Sequence, residues 1–144
     1  KNIYAIAAGI AEGLNLGENA KSALISRSFA EMARYAKKFK ADKNTLFGLS
    51  GLGDLILTCS SKNSRNTQFG IKLASSKYDN FLDLLKSQEV TEGYYTVKAV
   101  YNISQKKNID MPIMESVYNI LYKQHDLKEE LSNLLSRPIT EEKI

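Results

Sequence analysis

Residues 3–14 are apolar on nearly every side of a helical projection, with Ile3, Ile6, Ile10 and Leu14 joined by alanines and Gly9. A surface helix carries one apolar stripe, whereas a helix without a polar face has to be covered all round. This segment therefore predicts a central helix on which other helices pack. Ala5, Ala8 and Gly9 are small enough to admit close neighbours. No stretch of the chain offers a sheet as the cover. Clean period-two alternation is missing, as are a βαβ rhythm and a G-x-G-x-x-G loop. Neither a 20–50-residue repeat nor a low-complexity linker is present. The expected fold is one all-α domain, and 144 residues are enough to bury a core without disulfides or metals.

Gly13 is a plausible stop for the central helix. The next helix is predicted from about Glu18 to Phe39, with Ile25, Phe29, Met32, Ala36 and Phe39 along one face. Glu18 near its start and Lys37 and Lys38 near its end complement the helix dipole. Asp42 offers an N-cap for a short turn through Phe47. Three glycines in residues 48–53 interrupt the pattern before a helical piece at Asp54–Cys59. Further helices are predicted at about 67–75, 79–86, 93–107 and 113–124, with Pro112 in the first turn of the last. Asp126 and Glu129 form a capping-box-like start for 127–135, whose stripe is Leu127, Leu131, Leu134 and Leu135. Arg137-Pro138 closes that helix and leaves a polar tail.

Composition excludes several function classes. A single His (His125) and a single Cys (Cys59) cannot build a Cys/His zinc site, so no metal is expected. Cys59 lacks a supporting base motif and reads as packing, and His125 reads as a solvated loop residue. The lone cysteine also suits a reducing compartment. No G-x-S-x-G elbow supports serine hydrolase chemistry. No apolar run approaches the roughly 20 residues that span a bilayer. The net charge of +4 leaves room for a basic helical module binding nucleic acid or protein, with Lys37, Lys38 and Lys40 as its patch. The same lysines equally form a solvated helix end.

Two segments carry more chemistry. Gly48-Leu-Ser-Gly-Leu-Gly-Asp54 allows backbone to approach a ligand and then presents a carboxylate that can orient hydroxyl groups. Ten residues or so later, Ser64-Arg65-Asn66 sets a planar cationic fork between two neutral hydrogen-bonding side chains, a combination that suits phosphate. The alternative is a surface loop capped by Ser64 or Asn66. The second segment is Lys1-Asn2, an amine at the mouth of the apolar helix, which on its own is equally a solvated lysine.

Several motifs in fixed order resemble one family. Lys1-Asn2-Ile3-Tyr4-Ala5-Ile6-Ala7-Ala8-Gly9-Ile10, Gly13-Leu14 and Gly17-Glu18-Asn19-Ala20 look like the opening of the C-terminal domain of NAD(P)-dependent glycerol-3-phosphate dehydrogenase, bacterial type. The likeness continues through Gly48–Leu55, Leu57-Thr58-Cys59, Ser64-Arg65-Asn66, Phe69-Gly70, Val90-Thr91-Glu92-Gly93, Lys98-Ala99-Val100, Met111-Pro112-Ile113 and Leu134–Pro138. It covers essentially the whole chain.

The resemblance implies a helical domain of the 6-phosphogluconate dehydrogenase C-terminal-like kind, with the Rossmann domain that would precede Lys1 missing from this chain. It implies that Lys1 is the catalytic proton acceptor and donor and binds substrate with Asp54, Ser64, Arg65 and Asn66. Arg65, Val90 and Glu92 would contact the NAD or NADP, and Asn2 and Thr58 would line the site. Tyr95 departs from the Arg that many members of the family carry. The implied reaction interconverts glycerol 3-phosphate and dihydroxyacetone phosphate by hydride transfer, supplying phospholipid synthesis. The implied setting is a cytoplasmic homodimer without nucleic acid or a membrane span, and these 144 residues alone are expected to be inactive. A helical substrate domain of another hydroxy-acid dehydrogenase is the nearer alternative.

Overall fold

The computed structural model describes residues 1–75, 83–84 and 91–138, and every element among them is helical. The central helix α1 (Asn2–Gly13) is buried at each position from Ile3 to Ala11. Around it pack α2 (Glu18–Lys38), α4 (Asp54–Ser60), α5 (Arg65–Ser75), α6 (Glu92–Lys107) and α7 (Pro112–Lys123). The short α3 (Lys43–Phe47) precedes α4, and α8 (Leu127–Leu135) closes the bundle against α2 and α7. The all-α expectation holds. The helix expected at 79–86 lies outside the described residues except for 83 and 84, as does the tail after Pro138.

Glycine sets how α1 meets α5. A Cβ at Gly9 would lie 2.0 Å from the Thr67 carbonyl oxygen, and one at Gly70 would lie 2.2 Å from that of Ile6. The two helices therefore touch backbone to backbone. Farther along, a Cβ at Gly13 would meet Ala74 at 2.6 Å, so the contacts advance in the same direction on both helices. Parallel packing brings both N-termini, with Lys1-Asn2 and Arg65-Asn66, to one end of the domain.

The structure moves some boundaries. Helix α1 ends at Gly13, but the turn is made by Asn15 (φ 55°) and Gly17 (φ 90°) rather than by Gly13. Residues 48–53 do not simply break the helix: Leu49–Gly53 form one π turn leading into α4. Helix α5 starts at Arg65, two residues early, because the Ser64 hydroxyl accepts the Thr67 N–H at 3.3 Å. The caps expected from Asp42 and Asp126 are present, accepting the Asn44 and Glu129 N–H groups at 2.9 and 3.0 Å.

The buried face of α2 differs most. Leu24, Ser28 and Glu31 lie inside with Phe29, whereas Phe39 is past the helix end and 46% exposed. Glu31 explains the shift. Its two carboxylate oxygens accept the N–H groups of Ile113 and Met114 at 2.8 and 2.9 Å, completing the first turn of α7. Unpaired N–H groups at a helix start and its dipole both favour a carboxylate. On the same helix, Arg27 donates to the Leu134 and Arg137 carbonyls at the end of α8, and Arg34 to the carbonyl of Asp110. Three polar side chains thus fix α7 and α8 to α2.

Candidate functional site

Four helix starts meet at the end where α1 and α5 begin. Lys1 sits at the mouth of α1, its carbonyl accepting the Ala5 N–H. The π turn delivers Asp54 to the start of α4, and the two side chains meet with Lys1 Nζ 2.7 Å from Asp54 Oδ2. They are 49% and 33% exposed, so neither charge is stripped of water. An ion pair this open stabilises a fold by at most about 1 kcal/mol. Its consequence is orientation: the amine is held by one oxygen while an ammonium keeps other donors for a ligand.

Asn66 lies in the first turn of α5 and is nearly buried. Its Oδ1 accepts the Gly93 N–H at 3.0 Å, which docks the start of α6 on α5. Asn2 Nδ2 reaches Glu92 Oε2 on the same turn of α6 at 3.5 Å. Tyr122 holds that turn from behind, its hydroxyl donating to the Tyr94 carbonyl while the two rings stack. The Ser64 hydroxyl accepts an N–H as a cap and keeps its own hydrogen, so the capping reading does not exclude the site reading. The Thr58 carbonyl accepts the Thr67 hydroxyl at 3.1 Å, which ties α4 to α5 beneath the site. Arg65 is exposed and its guanidinium has no partner among the described residues.

Lys1, Asn2, Asp54, Ser64, Arg65, Asn66, Thr58 and Glu92 therefore lie on the elements that converge here. Val90 lies outside the described residues. Tyr95, 67% exposed, rests edge-on against Tyr94 one turn from Glu92. Sequence reasoning gave no role to Gly93, whose missing side chain lets α6 dock. An isolated glycine in a helical pattern was the available signal. It also missed Thr91, whose buried hydroxyl has no partner among the described residues.

The other reactive side chains do not compete. Cys59 is completely buried, and burial pushes its thiol up to about 11, so the thiolate nucleophile is suppressed. His125 is half exposed as expected of a loop, but it is not simply solvated: its Nδ1 lies 2.7 Å from Glu130 Oε1. Lys37, Lys38 and Lys40 are exposed at the end of α2. A cavity of about 320 Å³ beside Arg27, Glu31 and Arg34 is lined by the groups that fix α7 and α8.

The converging side chains offer both hydrogen-bond donors and acceptors. Arg65 offers a free fork for phosphate, Asn66 an amide N–H₂, Asp54 and Glu92 carboxylate acceptors for hydroxyl or amide hydrogens, and Lys1 an amine for proton exchange.

The chain is similar to known proteins over nearly its whole length. A family model described as the NAD-dependent glycerol-3-phosphate dehydrogenase C-terminus matches residues 1–132. The glycerol-3-phosphate dehydrogenase [NAD(P)+] of Solidesulfovibrio magneticus is 46% identical over 143 residues, which is 99% of this chain and 43% of that protein. Its counterpart in Brachyspira hyodysenteriae is 46% identical over 139 residues, 95% of this chain and 41% of that protein. The crystal structure of glycerol-3-phosphate dehydrogenase from Coxiella burnetii superposes with a TM-score of 0.87 at 40% identity, covering 94% of this chain and 42% of that one. The chain thus spans about two fifths of the length of these relatives.

Proposed function

The chain belongs to the family of NAD-dependent glycerol-3-phosphate dehydrogenase C-terminal domains, and from that premise we propose that it is the substrate-binding and proton-transferring part of an enzyme interconverting glycerol 3-phosphate and dihydroxyacetone phosphate. In this reading a nucleotide-binding domain outside these residues completes the enzyme. A bound NAD or NADP supplies the hydride acceptor or donor. Arg65 and Glu92 would hold it from this side, with Val90 assigned by resemblance alone.

The chain's own residues divide the remaining work. Arg65 and the Asn66 amide bind the phosphate, remote from the carbon that reacts, so that phosphate binding orients the reacting end. Ser64 still has a hydroxyl hydrogen to donate there. Lys1 in its neutral form takes the C2 hydroxyl proton during oxidation, and in its charged form returns a proton to the carbonyl oxygen during reduction. Asp54 holds the lysine at the mouth of α1 and accepts from a substrate hydroxyl. Thr58 and Asn2 line the site through the elements they tie together. Family membership also supports the cytoplasmic, two-subunit setting and the role in supplying phospholipid synthesis. No helix among the described residues is long and apolar enough to cross a membrane.

The observation that carries the proposal is the 2.7 Å contact between Lys1 Nζ and Asp54 Oδ2 at the helix ends that also hold Arg65 and Asn66. Its test is Lys1→Ala in the full-length enzyme. Turnover should fall by about 10²–10⁴, the usual worth of a positioned acid–base group, with dinucleotide affinity little changed. Near-normal turnover would remove Lys1 from the chemistry.

A further inference from the structure

Gly93 is the point at which three elements of the site come into contact. A Cβ there would lie 2.6 Å from Ile6 Cδ1, 2.7 Å from Asn66 Oδ1 and 3.1 Å from the Asn2 carbonyl oxygen. Glycine is a poor helix former, yet it stands inside the first turn of the 16-residue α6. A side chain there would have to displace Ile6 Cδ1 and Asn66 Oδ1 for that turn to sit against α1 and α5 together. Once it does, the Gly93 N–H points at Asn66 Oδ1, and the bond is buried.

This bond has two effects. It engages the only acceptor atom on the Asn66 side chain and so fixes which way the amide is turned, with the N–H₂ group as its remaining donor. It also fixes the turn of α6 that carries Glu92, next to the Asn2 amide. One contact therefore orders a residue assigned to substrate and a residue assigned to dinucleotide. A ligand that orders either partner removes part of the ordering penalty for the other ligand, which is positive coupling without any large movement.

We infer that Gly93 is a positioning residue: through its N–H on Asn66 it couples glycerol 3-phosphate binding to dinucleotide binding. The inference rests on the function proposed above and adds to it a route between the two ligands. A single net hydrogen bond sets the scale, so the coupling should be roughly 2- to 12-fold. By linkage the same factor applies in both directions.

The experiment measures glycerol 3-phosphate affinity in the full-length enzyme with and without saturating reduced dinucleotide, a pair that cannot turn over. The unaltered enzyme should bind glycerol 3-phosphate about 2–12 times more tightly when the dinucleotide is present. In Gly93→Ala the methyl group displaces Asn66 Oδ1, and the ratio should fall to about one. If that variant does not fold, Ile6→Val/Gly93→Ala removes the Ile6 Cδ1 clash and leaves the clash with Asn66. Asn66→Asp keeps an acceptor for Gly93 and should retain the ratio while weakening glycerol 3-phosphate, since its donor is gone. A folded Gly93→Ala enzyme with the ratio intact would overturn the inference, even if it were less stable or bound both ligands less well. A ratio of one in the unaltered enzyme overturns it too, while leaving the proposed function standing. No glycerol 3-phosphate binding at all would overturn both.

Discussion

Replacing Gly9 with alanine tests the contact that places the site. Its Cβ would fall 2.0 Å from the Thr67 carbonyl oxygen and 3.0 Å from Gly70 Cα, against 3.4 Å for ordinary contact. Both obstacles are backbone, so no rotamer change relieves them. Helices α1 and α5 must part by about 1.4 Å, the difference between those distances. Forced overpacking of this kind costs typically 1–3 kcal/mol. Alanine returns about 1 kcal/mol through helix propensity. With rigid backbone on both sides the upper end of the cost applies, leaving a net loss of about 2 kcal/mol. For a domain of this size that lowers Tm by roughly 5 °C or more. The separation also moves Lys1 relative to Asn66, and a misplacement of about 1 Å can reduce turnover about 100-fold. Thermal melts followed by circular dichroism and steady-state kinetics on the full-length enzyme read both effects. Gly53→Ala is the internal control, because its nearest obstacle is a side-chain atom at 3.5 Å, and it should leave Tm unchanged or slightly raised. If Gly9→Ala matched that control in stability and the unaltered enzyme in turnover, α1 and α5 would not meet as described, and the parallel placement of the site would lose its basis.

Two further predictions concern charged groups. Burial pushes Glu31 up to about 8 against the lowering effect of the Met114 and Ile113 N–H bonds and of Arg34. The folded state therefore binds this proton more tightly than the unfolded state, whose value is near 4.5. Its contribution to stability is greatest below about 4.5 and declines as pH rises toward 8. Glu31→Gln removes that slope but leaves one N–H of α7 without an acceptor, at about 1–3 kcal/mol. It should melt well below the unaltered protein at pH 5, with the gap narrowing by pH 8, and parallel Tm–pH profiles would refute this. Arg65→Lys keeps the charge but loses the bidentate fork, so KM for the phosphorylated substrate should rise about tenfold or more with a smaller change in kcat. An unchanged KM would count against Arg65 as the phosphate ligand.

What was legible in the sequence depended on how far apart the deciding residues stand. Helix α8 was legible to the residue, because Asp126, Glu129 and the leucine stripe lie within ten positions of one another. The central position of α1 was legible too, since its apolar surface needs no knowledge of which helices cover it. The buried face of α2 was not. Hydrophobic periodicity excludes a carboxylate from the core, and the N–H groups that admit Glu31 lie more than 80 positions away. The same limit applied within the site. Lys1, Asp54 and Ser64–Asn66 were named as candidates through the family resemblance, each having a bland alternative on its own, but only the fold shows what each side chain has left to give. Asn66 has both a donor and an acceptor in the sequence, and either could meet a ligand. In the folded chain the Gly93 N–H engages Asn66 Oδ1, which fixes the orientation of the amide next to Arg65. On the proposed reading, Asn66 and Arg65 then offer neighbouring donors to an anion, while Asp54 supplies an acceptor for the ligand's own hydrogens. The proposed division between a phosphate end on α5 and a hydroxyl end on α4 and α1 thus leans on a hydrogen bond that no local pattern announces.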